Sequence, residues 1–368
     1  MLRRFMFSGM IVILLCVAAI IVGWIPVSSA SEIEANRPTL ALAETHAGAQ
    51  AASVEVDEGV QVVWAFNADL GELPEGITID KPGNIYVSVG YPDWFGGDFG
   101  EIWKISPGGE RTILHAFPGG PSAAGLAVSP SGELYFAYPN YYDPNPTTPN
   151  GVYRIAGDGD PERLPGSENI VVPNGLALTG QGDLYVSDSA MGAVWRIPHS
   201  GGEAEIWIQH DYVAGCNPGD FGANGVAIWK DSLYVANTFR GMLVRVPILE
   251  DRTAGAPEIV AGDLDCDIDE LFGMDGIALD VHGNVFALSV LQHKLVRIDP
   301  NDGSHTVLLT DEDGLNNPAS IAFGTGRGDR KYVFMSNFAL FPPPDPAIAL
   351  EPGVLKYNVG VPGLPLPK

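Results

Sequence analysis

One short phrase, repeated six times, constrains this chain more than any other feature. A variable residue, a small residue, an aliphatic and then Ala or Thr occur together at Glu75-Gly76-Ile77-Thr78, Ala124-Gly125-Leu126-Ala127 and Asn174-Gly175-Leu176-Ala177. They return at Asn224-Gly225-Val226-Ala227, Asp275-Gly276-Ile277-Ala278 and, degraded, Ala319-Ser320-Ile321-Ala322, in steps of 49, 50, 50, 51 and 44 residues. A second phrase follows each after a polar turn, as in Ile85-Tyr86-Val87, Leu184-Tyr185-Val186 and Leu233-Tyr234-Val235. A third ends each unit, as in Val152-Tyr153-Arg154-Ile155, Val194-Trp195-Arg196-Ile197 and Leu295-Val296-Arg297-Ile298.

These runs are short, rich in β-branched and aromatic residues, and bounded by Gly, Asp, Asn and Pro, which is strand composition. A weaker fourth run, such as Glu205-Ile206-Trp207, follows in most units. Four antiparallel strands per roughly 50 residues mark a propeller blade. The expected fold is therefore all-β, a six-bladed β-propeller over residues 59–358, followed by a C-terminal tail at 359–368. The last unit lacks a fourth strand, and Gln61-Val62-Val63-Trp64 stands spare before the first. The N-terminal strand is expected to complete the last blade and close the ring, leaving only short sheet edges.

With 46% hydrophobic and 18% charged residues, the chain is no disordered polymer. Its 45 acids against 20 bases give a net charge of −25. Such a surface repels phosphate backbones, which argues against nucleic-acid partners, and tolerates hard cations. Arg3 and Arg4, the apolar run Met10 to Trp24 and the small residues Ser28-Ser29-Ala30 read as an export signal over residues 1–30. The same region, residues 5–25, is nearly long enough to span a bilayer, so an uncleaved membrane anchor is the alternative. Either places the body outside the cytoplasm, secreted or periplasmic. Residues 31–58 read as a flexible linker.

The residue opening the first phrase lies where the innermost strand of each blade begins. Its six occupants are Glu75, Ala124, Asn174, Asn224, Asp275 and Ala319, so four of them aim an oxygen at the propeller axis from one level. Two carboxylates and two amides, without Cys or His, form a hard-oxygen set that suits Ca²⁺, with Mg²⁺ or Mn²⁺ as substitutes. Asn-Gly and Asp-Gly are also ordinary turn dipeptides, so each pair alone reads equally as a turn.

The repeats, the Glu75, Asn174, Asn224, Asp275 series and the Pro173-Asn174-Gly175-Leu176 phrase resemble the regucalcin/gluconolactonase superfamily, whose relatives include diisopropylfluorophosphatase and the paraoxonases. The resemblance covers about residues 60–358. It implies a six-bladed propeller with a catalytic Ca²⁺ in the central channel, held by Glu75, Asn174, Asn224 and Asp275. It further implies a hydrolase of lactones or related esters, with phosphotriesters as a side activity. In that role Asp275 is the base or nucleophile, and Glu75, counted with it as catalytic, is mainly a ligand. The paraoxonases add a His pair over the metal that has no counterpart here. Of seven His residues, only His293 at the start of a third strand is placed to face the channel mouth. A non-catalytic ligand- or partner-binding propeller with a structural Ca²⁺ is the competing reading, since one fold hosts many functions.

Three connections between second and third strands are long and aromatic. They carry Tyr91 and Trp94, then Tyr141, then Phe338, and are expected to wall a small-molecule pocket over the channel. Asp188, Asn237, Ser289 and Asn337, at second-strand ends, are expected near the channel as further substrate contacts. Cys216 and Cys266 precede Asn224 and Asp275 by eight and nine residues, in like loops of adjacent blades. In an oxidising compartment they are expected to form a disulfide.

Overall fold

The computed structural model describes residues 55–56, 59–90, 99–140, 146–157 and 159–367. The predicted export signal, most of the linker, and Tyr91, Trp94 and Tyr141 lie outside the described residues. Five blades are four-stranded and antiparallel. Blade 1 holds β3 (Pro74–Ile79), β4 (Ile85–Gly90), β5 (Phe99–Ile105) and β6 (Arg111–Pro118). Blade 2 holds β7 (Leu126–Val128), β8 (Leu134–Tyr138), β9 (Gly151–Ile155) and a two-residue β10 (Glu162–Arg163). Blade 3 holds β11 (Pro173–Leu178), β12 (Leu184–Asp188), β13 (Ala193–Ile197) and β14 (Glu205–Gln209). Blade 4 holds β15 (Ala223–Trp229), β16 (Ser232–Asn237), β17 (Met242–Pro247) and β18 (Glu258–Ala261). Blade 5 holds β19 (Met274–Leu279), β20 (Val285–Ser289), β21 (Lys294–Ile298) and β22 (His305–Leu309).

Blade 6 is assembled from both ends of the chain. β23 (Pro318–Phe323), β24 (Tyr332–Asn337) and β25 (Gly353–Asn358) come from the C-terminal side, and β2 (Val60–Ala65) pairs antiparallel with β25. Val63 and Trp64 then pack against a cluster containing Ile77, Trp103 and Phe334, which joins blade 6 to blade 1. A further strand, β1 (Glu55–Val56), pairs outside β2, so ordered pairing begins inside the expected linker.

Burial follows strand rank. Every residue of β4, β8, β12 and β20 is buried, because a second strand is covered on both faces by neighbouring blades. Fourth strands are half exposed, as in β14. The core is thus a series of inter-blade seams, such as Tyr185 and Val194 of blade 3 against Val226, Val235 and Val244 of blade 4. Each such fully buried aliphatic contributes about 1.5–3 kcal/mol.

The C-terminal tail at 359–368 is partly docked. The Val359 and Gly363 amides donate to the Lys331 and Arg330 carbonyls, and Leu364 N–H to Leu279 O, at 2.9–3.0 Å. Val281 N–H donates back to Pro362 O at 3.0 Å. Val359 and Val361 pack on the blade 5/6 seam and Leu364 on the blade 4/5 seam, which holds the segment there.

Candidate functional site

Each first strand begins with a local irregularity that sets the site. In blades 1, 3, 4, 5 and 6 the register to the second strand shifts across the pair beginning with Glu75, Asn174, Asn224, Asp275 and Ala319. A bulge of this kind releases a residue from the pleat and re-aims its side chain. In three blades the displaced amide is recovered by a serine on the second strand: Gly76 N–H to Ser88 Oγ and Gly175 N–H to Ser187 Oγ at 2.7 Å, and Ser320 N–H to Ser336 Oγ at 2.9 Å.

The small residue after each ring position has a steric cause. A Cβ on Gly76 would lie 1.9 Å from Ala124 O; on Gly125 or Gly175, 2.4 Å from Asn174 O or Asn224 O; and on Gly225, 2.2 Å from Asp275 O. Each glycine sits against the backbone of the next blade's ring residue, so no side chain fits there. The circle closes where Ser336 Oγ donates to Glu75 O and Ile77 N–H to Ser320 Oγ.

The result is one central cavity of about 60 Å³ lined by Glu75, Asn174, Asn224 and Asp275, by Ser320 of blade 6, and by the glycines and aliphatic residues of the repeated phrases. The two carboxylates come from blades 5 and 1, flanking Ala319 of blade 6. Burial pushes both pKa values up. Asp275 rises from 3.8 to about 7, opposed only by its hydrogen bond with the Asn224 amide. Glu75 is held well above the usual range by burial and then by the charge of Asp275. An acidic pair in this condition holds a proton or attracts a cation.

The amides are oriented by two parallel relays that sequence reasoning missed. Asn174 Nδ2 donates to Ser189 Oγ at 3.2 Å, which donates to Ala223 O at 2.8 Å. Asn224 Nδ2 donates to Thr238 Oγ1 at 3.1 Å, which donates to Met274 O at 2.8 Å. Each relay ends on the carbonyl just before the next ring residue. It holds one N–H of each amide, and the Asn224 nitrogen also donates to Asp275 across the ring. Asn224 Oδ1 is buried and has no hydrogen-bond partner. A buried orphan acceptor beside two carboxylates fits an oxygen-seeking cation, so the residues present suit the expected Ca²⁺. The detectable signal was a hydroxyl residue just after the second strand in blades 3 and 4, Ser189 and Thr238.

The four second-strand-end residues are not at the channel. Asp188, Asn237, Ser289 and Asn337 pair across the sheet with the residue preceding each ring position, so they point into the blade seams and are at most 1% exposed. Asp188 accepts from the Val171, Val172 and Met191 amides. Asn237 donates to Tyr212 O and Ala214 O, and Ser289 to Phe272 O. Asn337 accepts from Asn316 N–H and donates to Leu350 O and Glu351 O. All four pin loops and leave nothing for a substrate.

His293 sits in the turn before β21, at φ 55°, where its Nδ1 accepts from Asn317 N–H at 2.9 Å. Burial lowers its pKa, and it does not line the cavity. Phe338 is buried against Leu73 and Ala319, filling the blade 6/1 seam rather than facing a ligand. Cys216 and Cys266 are joined in a disulfide, Cα–Cα 5.9 Å. Arg240 braces both flanking loops through Ala214 O, Gly215 O and Leu264 O.

No protein-family model and no curated protein matches the chain. Solved structures do match its fold. A luciferin-regenerating enzyme has a TM-score of 0.60 at 14% identity, over 83% of this chain and 99% of its own. A gluconolactonase from Xanthomonas campestris gives 0.57 at 14% identity, over 83% and 91%. Regucalcin, a calcium-binding protein from Agrobacterium tumefaciens, gives 0.57 at 17% identity, over 83% and 97%. The structural neighbours are thus propellers of the gluconolactonase and regucalcin kind, and at these identities the likeness shows the fold.

Proposed function

We propose that this protein is an exported, Ca²⁺-dependent hydrolase of lactones or related esters, with phosphotriesters as a side activity. One observation carries the reading: two carboxylates and two amides, from blades 1, 3, 4 and 5, line a single central cavity, with the Ser320 hydroxyl of blade 6 beside them. The gluconolactonase and regucalcin structures among its neighbours support it at the level of hydrolase and calcium-binding folds. Glu75, Asn174, Asn224 and Asp275 would hold the ion, with Mg²⁺ or Mn²⁺ as weaker substitutes. When bound, Ca²⁺ supplies a Lewis acid for a carbonyl or phosphoryl oxygen and for the oxyanion that develops there.

The chain's own residues do the rest. About 60 Å³ accommodates an ion and little more than a water or two, whereas small-molecule pockets run to about 300–1,000 Å³. Substrate is therefore placed above the ring, on the face carrying the long second-to-third-strand loops. Asp275 is the proposed base: burial raises its pKa to about 7 in the metal-free ring, and a bound cation would lower it and hold the carboxylate ionised to take a proton from water. Glu75 would add a second carboxylate to the ion's shell, and the Ser189 and Thr238 relays hold both amides in place.

The test is hydrolysis of a panel of lactones, aryl esters and phosphotriesters by purified protein, with chelator and then with Ca²⁺ restored. Turnover lost on chelation and recovered with Ca²⁺ supports the proposal. A drop in thermal stability on chelation, with no turnover on any substrate, would make the protein a ligand-binding propeller with a structural ion.

A further inference from the structure

The blades follow a charge rule that one of them breaks. Each third strand carries a base at one shared phase, at Lys104, Arg154, Arg196, Arg245, Arg297 and Lys356, and β21 carries Lys294 besides. Arg154 pairs with Glu133 and Glu162, at 3.4 and 2.8 Å. Arg196 pairs with Asp183 and Glu205, at 3.0 and 2.8 Å. Arg245 pairs with Glu258, Lys356 lies 3.9 Å from Asp329, and Lys104 lies over the Tyr86 ring.

Arg297 has none of these supports. Its cross-strand neighbours are Phe286 and Thr306, where Arg196 has Tyr185 and Glu205. The position matching Asp183 is Asn284. Among the described residues, no carboxylate lies within ion-pair distance of Arg297 or Lys331.

Arg297 borders a groove of about 440 Å³ with Lys331, His282 and Asn284, walled by the docked segment Val359–Pro362. The one carboxylate in the lining, Asp280, is fully buried and accepts from the His282 and Asn284 amides and from Asn284 Nδ2. This groove is separate from the ring cavity, with which it shares no residue. In a chain of net charge −25, two unpaired cations and a histidine around one concavity are a local reversal of sign. Charges beyond about 8 Å are screened at physiological ionic strength, so the local cations decide what binds. An unpaired guanidinium presents a planar fork that matches phosphate or sulfate oxygens. The volume exceeds that of a bare oxyanion and lies in the small-molecule range.

We propose that this groove binds the phosphate or sulfate group of a small-molecule monoester, held by Arg297 and Lys331. The probes are inorganic phosphate, inorganic sulfate and glucose 6-phosphate, titrated calorimetrically into chelator-treated protein so that a channel cation cannot contribute. Binding in the millimolar range or tighter is expected, weakening with added NaCl. Arg297→Gln and Lys331→Gln, both at exposed positions, should each weaken it about tenfold with the melting temperature unchanged. Tighter binding of glucose 6-phosphate than of phosphate assigns the groove to an ester, and equal binding assigns it to the free anion. No binding of any probe overturns the proposal, as does binding that both variants leave intact.

Discussion

Replacing Thr238 by Val removes one hydroxyl and keeps the shape of the side chain. Thr238 is 3% exposed, accepts from Asn224 Nδ2 at 3.1 Å and donates to Met274 O at 2.8 Å. The variant leaves both partners unpaired in a dry seam. A buried group stripped of its partner costs about 1–3 kcal/mol, and Asn224 can offset part of this by swinging its amide. For a domain of this size that is a fall in melting temperature of about 2–6 °C. The amide then keeps only its hydrogen bond to Asp275 and loses the contact that fixes its plane, so its oxygen is no longer held in one place for an ion. Loss of a group that orients a metal ligand typically weakens metal binding about 10- to 100-fold, or about 1.4–2.7 kcal/mol. Calorimetric titration of Ca²⁺ into chelator-treated protein reads the affinity, and a thermal scan reads the stability. Thr238→Ser retains the hydroxyl, as blade 3 does with Ser189, and should bind Ca²⁺ like the parent. A Thr238→Val protein that melts lower yet binds Ca²⁺ as tightly as the parent would refute the reasoning, because the relay would then be structural only.

Asp275→Asn keeps the shape of the ring and removes the raised carboxylate, so lactone turnover should fall by at least about 100-fold; hydrolysis at the parent rate would show that Asp275 is not the base. Without metal, stability should fall as pH rises from about 4 to about 7, because the native state holds a proton at Asp275 that the unfolded chain, at 3.8, releases. The Asp275 contribution is on the order of 4 kcal/mol, Glu75 adds in the same direction, and saturating Ca²⁺ should flatten the profile measured by urea unfolding. Gly225→Ala puts a Cβ 2.2 Å from Asp275 O, so the backbone of blades 4 and 5 must part; thermal scans and Ca²⁺ titration should show both a destabilisation of about 3 kcal/mol and weaker binding. Reduction of Cys216–Cys266, which closes a 50-residue separation, should lower stability by about 2–4 kcal/mol in chemical denaturation, and native protein should resist thiol alkylation until reduced.

What could be read from the sequence, and what could not, divides along the repeat. The blade count, the closing strand Val60–Ala65 and the ring positions were legible, because each is a periodic property. A propeller must place the same phase of every unit at the same radius, and the Gly after each ring residue is enforced by the backbone of the next blade. Phase alone does not say which way a side chain points. Asp188, Asn237, Ser289 and Asn337 recur as regularly as the ring residues, yet they oppose the residue before the bulge and turn into the seams. One position further on, Ser189 and Thr238 do not stand out in the sequence because only two of six blades carry a hydroxyl there, yet in the fold both reach an Asn. The same logic governs Arg297. In the sequence it completes a row of six bases and looks ordinary. Only the cross-strand partners, Phe286 and Thr306 in place of a Tyr and an acid, reveal that its charge is uncompensated. In a repeat protein, then, shared positions specify the scaffold, and function is to be sought where one unit departs from the others: four polar occupants among six at the hub, and, among six bases on the third strands, one with neither an ion pair nor a cation–π contact.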